Sequence, residues 1–115
     1  MRIVVATEGE TEKSIATHFA HCSHFIVFDV ENDKIRNIET IENPYFQNHT
    51  PGKLPEFIES LGTKVLLVGG IGRKAVVLLE KKNIEVFYGI EGKPEDLVDD
   101  YIKGKIETKK NFCDH

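Results

Sequence analysis

The sequence predicts an α/β domain built on a mixed sheet with helices packed against it. Three observations carry that expectation. The chain opens with β-branched apolar runs that read as strands. Two later apolar runs alternate with amphipathic segments of helical period. The resulting order, β-β-β-α-β-α-β-α, begins as a hairpin and continues as alternating units, which a mixed five-stranded sheet accommodates.

Each element follows from its residues. Residues 2–6 are a short β-branched run and read as a buried strand. His24-Phe25-Ile26-Val27-Phe28-Asp29-Val30 is apolar on both faces, as a central strand requires. Glu31-Asn32-Asp33 is a polar turn, and a third strand near 34–41 completes an antiparallel hairpin. After Asn43-Pro44 the chain loops to Pro51-Gly52. Leu54, Phe57, Ile58 and Leu61 then take the i, i+3, i+4, i+7 spacing of a helix, with Pro55 tolerated in its first turn. Val65-Leu66-Leu67-Val68 is a fully buried strand. Gly69-Gly70-Ile71-Gly72 turns it into a second helix, where Ile71, Ala75, Leu78 and Leu79 are expected to share a face. Residues 84–88 form a last strand. Pro94 opens a third helix that buries Leu97, Val98, Tyr101 and Ile102 and ends at Gly104.

With 115 residues the chain is expected to be one domain over residues 1–104, followed by a polar, mobile tail at 105–115. Acidic groups spread along a chain of net charge −4 argue against a nucleic-acid partner, which favours a clustered basic face. No apolar run has the length of a membrane span, and the N-terminus lacks a signal-peptide pattern, so a cytoplasmic location is expected. In a reducing compartment the two cysteines read as thiols or metal ligands rather than a disulfide.

The chemistry concentrates in His18-Phe19-Ala20-His21-Cys22-Ser23-His24, which holds three of the five histidines and one cysteine. Imidazole and thiolate are the ligands that iron, copper and zinc prefer, so His18, His21, Cys22 and His24 are candidate metal ligands. They lie in a connection, residues 7–23, without clear structure of its own, a length usually functional or disordered in a compact domain. The spacing matches no closed zinc site and points to an open one that completes its shell from the cargo. Cys113 and His115 at the far end, and His49 in the loop before the first helix, are additional candidates. Gly69, Gly70 and Gly72 join a strand to a helix N-terminus, where N–H groups face an anion, and Arg73 adds charge. The pattern is neither a P-loop nor a full dinucleotide fingerprint. Each feature has a plainer reading: solvated histidines, a frayed terminus, and glycines that allow a tight turn.

Ser14, Ser23 and Ser60 lack nucleophile-elbow contexts, and no orienting group is evident for Cys22 as a nucleophile. Glu8 and Asp29 are candidates for a two-metal carboxylate pair in magnesium-dependent phosphodiester chemistry.

The chain resembles the dinitrogenase iron–molybdenum cofactor biosynthesis family of small nitrogenase-accessory-type domains. The resemblance rests on Ile3-Val4-Val5-Ala6, His18-Phe19 followed by Cys22, and Phe25-Ile26-Val27-Phe28-Asp29. It continues through Asn43-Pro44, Val68-Gly69-Gly70-Ile71-Gly72, Ile84-Glu85-Val86 and Gly104. It implies a ribonuclease-H-like three-layer fold and a domain that binds or carries an iron–sulfur or iron–molybdenum cluster. Where the family usually runs His-Phe-Gly-Arg, this chain has His18-Phe19-Ala20-His21, which offers another imidazole. The expected role is therefore non-catalytic and accessory to metallocofactor assembly, with cluster-donor or cluster-acceptor proteins as partners. The alternatives are a ribonuclease-H-like nuclease and a regulatory interaction module.

Overall fold

A computed structural model describes residues 1–8, 14–46 and 52–106. The strands are β1 (Arg2–Glu8), β2 (Ser14–Ile15), β3 (His24–Glu31), β4 (Lys34–Glu42), β5 (Thr63–Leu67) and β6 (Glu85–Phe87). The helices are α1 (Lys53–Ser60), α2 (Arg73–Lys81) and α3 (Pro94–Ile102), with a 3-10 turn at Phe19–His21. The sheet runs β4-β3-β1-β5-β6, and β2 adds to the end of β1. β1 pairs antiparallel with β3 and parallel with β5, so the sheet is mixed, as expected.

Among the described residues it has six strands rather than five. The correction is β2, two residues that pair Thr7 with Ile15 and Glu8 with Ser14. So short a strand leaves no periodic signal; its partner at the end of β1 creates it. Part of the 7–23 connection therefore has structure of its own.

β1 is the central strand. Five consecutive residues, Ile3 to Thr7, are buried because strands flank it and helices cover both its faces. On one face Val4, Ala6, Phe25, Val27 and Leu66 pack with Leu54 and Ile58 of α1 and Val76 and Leu79 of α2. On the other, Ile3, Val5, Ile26, Phe28 and Leu67 pack with Leu97 and Val98 of α3. The alternation of β3 thus sends Phe25 and Phe28 into different cores.

The β3–β4 hairpin turns at Asn32 and Asp33, both at positive φ (53° and 61°), the geometry whose twist suits a two-residue hairpin. Short polar side chains tolerate it. In α2 the buried face is Val76 and Leu79 with Ala75 partly buried, whereas Leu78 is exposed. Ile71 is buried but precedes the helix. The face expected from Ile71, Ala75, Leu78 and Leu79 is therefore rotated, because the helix starts after Gly72 rather than at Ile71. The tail from residue 107, with Cys113 and His115, and the loop residue His49 lie outside the described residues.

Asp29 pairs with Arg2, Nε to Oδ1 at 2.9 Å, and Arg2 Nη1 also donates to the Leu61 carbonyl at 2.8 Å. Both side chains of the ion pair are over a third exposed, so solvent screens the interaction. Asp29→Asn is expected to cost less than about 1 kcal/mol in a chemical unfolding experiment. A cost above about 2 kcal/mol would contradict this account of the pair.

Candidate functional site

Two stretches far apart in sequence meet at the C-terminal ends of β1 and β5. The segment after β2 crosses the strand–helix turn that follows β5. The Gly69 N–H donates to the Ala16 carbonyl at 2.8 Å, and the Phe19 N–H donates to the Gly70 carbonyl at 2.8 Å. From the other side the Gly89 N–H donates to the Gly69 carbonyl, again at 2.8 Å. Ala16 is itself tied to β1 through its N–H to the Ala6 carbonyl at 2.8 Å. A Cβ on Gly69 would lie 2.7 Å from the Ala16 carbonyl oxygen, so glycine is required for this approach.

The crossing carries His18 and His21 on the 3-10 turn, with Phe19 between them buried as its anchor. The two imidazole rings sit edge to face with centroids 6.3 Å apart. His18 is partly buried and His21 exposed. The chain leaves Gly70 into Gly72, the N-cap of α2, where no side chain caps the helix. The first-turn N–H groups of α2 thus follow the same turn on which the histidine segment is seated, at the strand ends where open α/β sheets bind ligands. Gly69 spends its N–H on Ala16, which leaves Gly70 and Gly72 as the glycines whose N–H groups the turn can offer. Arg73 is exposed at the start of α2.

Cys22 has a different place. It is fully buried in the core with Phe19, Phe25 and Ile71. Asn43, also buried, donates from Nδ2 to the Cys22 carbonyl at 2.8 Å and to its sulfur at 3.5 Å. The Asn43 N–H donates to the Ser23 carbonyl, and Asn43 Oδ1 accepts from the Tyr45 N–H. Asn43 thus clamps the end of β4 to the segment that bears Cys22. Burial pushes the Cys22 thiol up to about 12, against the lowering effect of the Asn43 hydrogen bond and with a further push from the Glu8 charge. At neutral pH it is a protonated core thiol, not a thiolate. His24 opens β3, with its Nδ1 2.8 Å from Ser23 Oγ, and its carbonyl accepts from Thr7 Oγ1 at 3.2 Å. Among the described residues no three His, Cys, Asp or Glu side chains come together as a metal group. The four clustered ligand candidates therefore divide: His18 and His21 sit together, Cys22 faces the core, and His24 starts a strand.

The residue composition did not single out Ala16 or Asn43, yet each fixes the position of the site. The Asn43-Pro44 step, which ends a strand, was the available signal for Asn43.

The sign of the Cys22 effect on stability follows from its raised value. Unfolding lets the thiol ionise near its ordinary value of 9, while the folded protein resists ionisation until about pH 12. The folded state thus binds the extra proton, and stability falls as pH rises above about 9. Between pH 8 and pH 10 the wild type is expected to lose about 1 kcal/mol more than Cys22→Ala in urea unfolding. Equal losses would contradict the buried, protonated thiol.

Glu8 and Asp29 do not form a two-metal pair. Asp29 is in register with Arg2, at the start of β1, and Glu8 ends that strand. Six residues of extended chain separate the two levels, about 20 Å, against the roughly 4 Å span of a two-metal site.

Comparison with known proteins adds to this geometry. A family model described as dinitrogenase iron-molybdenum cofactor matches residues 1–104. An uncharacterized protein of Methanocaldococcus jannaschii is 27% identical over 95 residues, covering 81% of this chain and 80% of that protein. The crystal structure of PH0822 superposes with a TM-score of 0.84 at 30% identity, covering 96% of both chains. The apo form of the orange protein from Desulfovibrio gigas has the same fold, with a TM-score of 0.80 at 24% identity, covering 96% of this chain and 93% of that one.

Proposed function

The chain belongs to the dinitrogenase iron–molybdenum cofactor family, and on that premise we propose that it binds and hands on a preassembled iron–sulfur or iron–molybdenum cluster. In this reading it is a non-catalytic accessory to metallocofactor assembly, and its partners are the proteins that donate and accept the cluster. The ribonuclease-H-like classification that the family implies belongs to the same proposal.

The observation that carries the reading is the seating of the His18–His21 turn on the Gly69–Gly70 turn through the Phe19 N–H. It seats the segment that bears both imidazoles on the turn that leads into the uncapped start of α2. Imidazole nitrogens suit iron, and a helix N-terminus suits the negative charge of a sulfide-rich cluster. In this reading the two imidazoles form an open site rather than a closed shell. It fits a cargo that arrives with most of its own ligands and leaves again. Cys22, protonated and buried, has no role in holding the cargo and serves the core.

Anaerobic incubation with ferrous iron and sulfide, followed by gel filtration and metal analysis, tests the reading. Protein-bound charge-transfer absorption with stoichiometric iron is expected. Iron that elutes only with the buffer, both here and after incubation with isolated iron–molybdenum cofactor, would contradict it.

A further inference from the structure

Among the described residues five large apolar side chains are exposed, and two of them, Val77 and Leu78, are neighbours on α2. Val77 is 45% exposed and Leu78 37%, whereas neither α1 nor α3 carries an exposed large apolar residue. Lys74, Val77, Leu78 and Lys81 stand at i, i+3, i+4 and i+7, so they share one face of α2. That face lies opposite the buried Val76 and Leu79, and both lysines on it are exposed. It is thus an apolar pair with a cation at each end, the cations about 10 Å apart along the helix axis.

These cations do not serve the helix itself. α2 has no acidic residue in its first turn and begins with Arg73 and Lys74, whose positive charge the helix dipole disfavours at that end. No carboxylate of α2 lies three or four positions from Lys74 or Lys81, and its one acid, Glu80, falls outside the stripe. Among the described residues neither lysine is in an ion pair, whereas Lys53, Lys82 and Lys103 pair with Glu56, Glu59 and Asp99. The face therefore offers two uncompensated charges around exposed apolar surface.

We propose that this face of α2 docks an acidic amphipathic helix of a partner protein. Two carboxylates of that helix, seven positions apart, meet Lys74 and Lys81, and apolar side chains between them cover Val77 and Leu78. A second copy of this chain does not supply such a helix: α1 and α3 present Glu56, Glu59, Glu95, Asp96 and Asp99, but no exposed large apolar residue. An anionic bilayer is opposed by the net charge of −4, and two apolar side chains are too few to anchor α2 in it. α2 leaves the Gly69–Gly72 turn on which the histidine segment is seated, so a partner along its length reaches that turn. The inference does not require the site to hold a cluster.

The probe is a capped, labelled alanine- and glutamine-based helical peptide of about 20 residues, with one Glu, Leu, Leu, Glu set at i, i+3, i+4 and i+7. Fluorescence anisotropy without metal is expected to show a Kd of about 100 µM at low salt, weakening as salt rises. Lys74→Glu/Lys81→Glu is expected to bind at least about tenfold more weakly, and to regain affinity for a peptide with lysine in place of both glutamates. Val77→Ser/Leu78→Ser is expected to lose the original peptide to a similar degree. All four side chains are exposed and Lys74→Glu suits the helix dipole, so thermal unfolding should stay unchanged. The charge-swapped pair decides the matter even if the serine variant fails to fold. No binding up to about 1 mM, binding indifferent to the α2 variants, or a charge swap that restores nothing would overturn the proposal. So would binding to phosphatidylglycerol vesicles in place of the peptide, which assigns the face to a membrane.

Discussion

Gly69→Ala is expected to lower the stability of the fold by about 2–4 kcal/mol and to weaken cluster binding with it. The added methyl would lie 2.7 Å from the Ala16 carbonyl oxygen, a backbone atom held in place by its own hydrogen bond from Gly69. Relief requires the 16–19 segment to move off the turn. That movement loosens three linked hydrogen bonds, Gly69 to Ala16, Phe19 to Gly70 and Gly89 to Gly69. It also lifts Phe19 from its place in the core. Gly104→Ala is the control: its φ is 71° but nothing lies within 4 Å, so only backbone strain of about 1–2 kcal/mol applies. Guanidinium unfolding of the two variants compares them directly. If Gly69→Ala costs no more than Gly104→Ala, the crossing is not the tight contact described here.

The double variant His18→Ala/His21→Ala is expected to act in the opposite way, sparing the fold and removing the proposed cluster binding. His21 is exposed and His18 only partly buried, so little core packing is lost. The anchor between them, Phe19, stays. Cluster affinity is expected to fall at least about tenfold, a loss of about 1.4 kcal/mol or more in binding free energy. Cys22→Ala, by contrast, should leave cluster affinity unchanged while lowering stability, because its side chain fills the core rather than facing cargo. Thermal unfolding and cluster retention measured on the same preparations separate the two kinds of effect. Retention lost in Cys22→Ala but kept in the histidine variant would reverse the assignment.

The elements legible in the sequence are those whose signals are local. α1 and α3 announced themselves through helical spacing, and Leu54, Ile58, Leu97 and Val98 are buried as that spacing requires. The hairpin was legible in Asn32-Asp33, and the buried strands in their β-branched runs. What was not legible depends on partners distant in the chain. β2 exists because two residues reach the end of β1. The buried face of α2 depends on where Gly72 starts the helix, a matter one residue decides.

The candidate site divides along the same line. The concentration of His18, His21, Cys22 and His24 and the Gly69–Gly72 turn could each be picked out from residue types. That the first is seated on the second could not, since it depends on hydrogen bonds between segments some fifty positions apart in sequence. Composition also cannot separate a ligand thiol from a core thiol. Cys22 and His21 are neighbours in sequence, yet one is fully buried and the other exposed. Asn43, just past the end of β4, holds the Cys22 carbonyl and sulfur from a segment some twenty positions away.

The most direct test of the central claim is retention of isolated iron–molybdenum cofactor by the wild type and by His18→Ala/His21→Ala. Each is passed anaerobically through gel filtration, and iron and molybdenum are measured in the protein peak. The cluster-carrier account predicts stoichiometric metal with the wild type and at least about tenfold less with the double variant at equal folded protein. Equal retention by both, or none by the wild type, would contradict it.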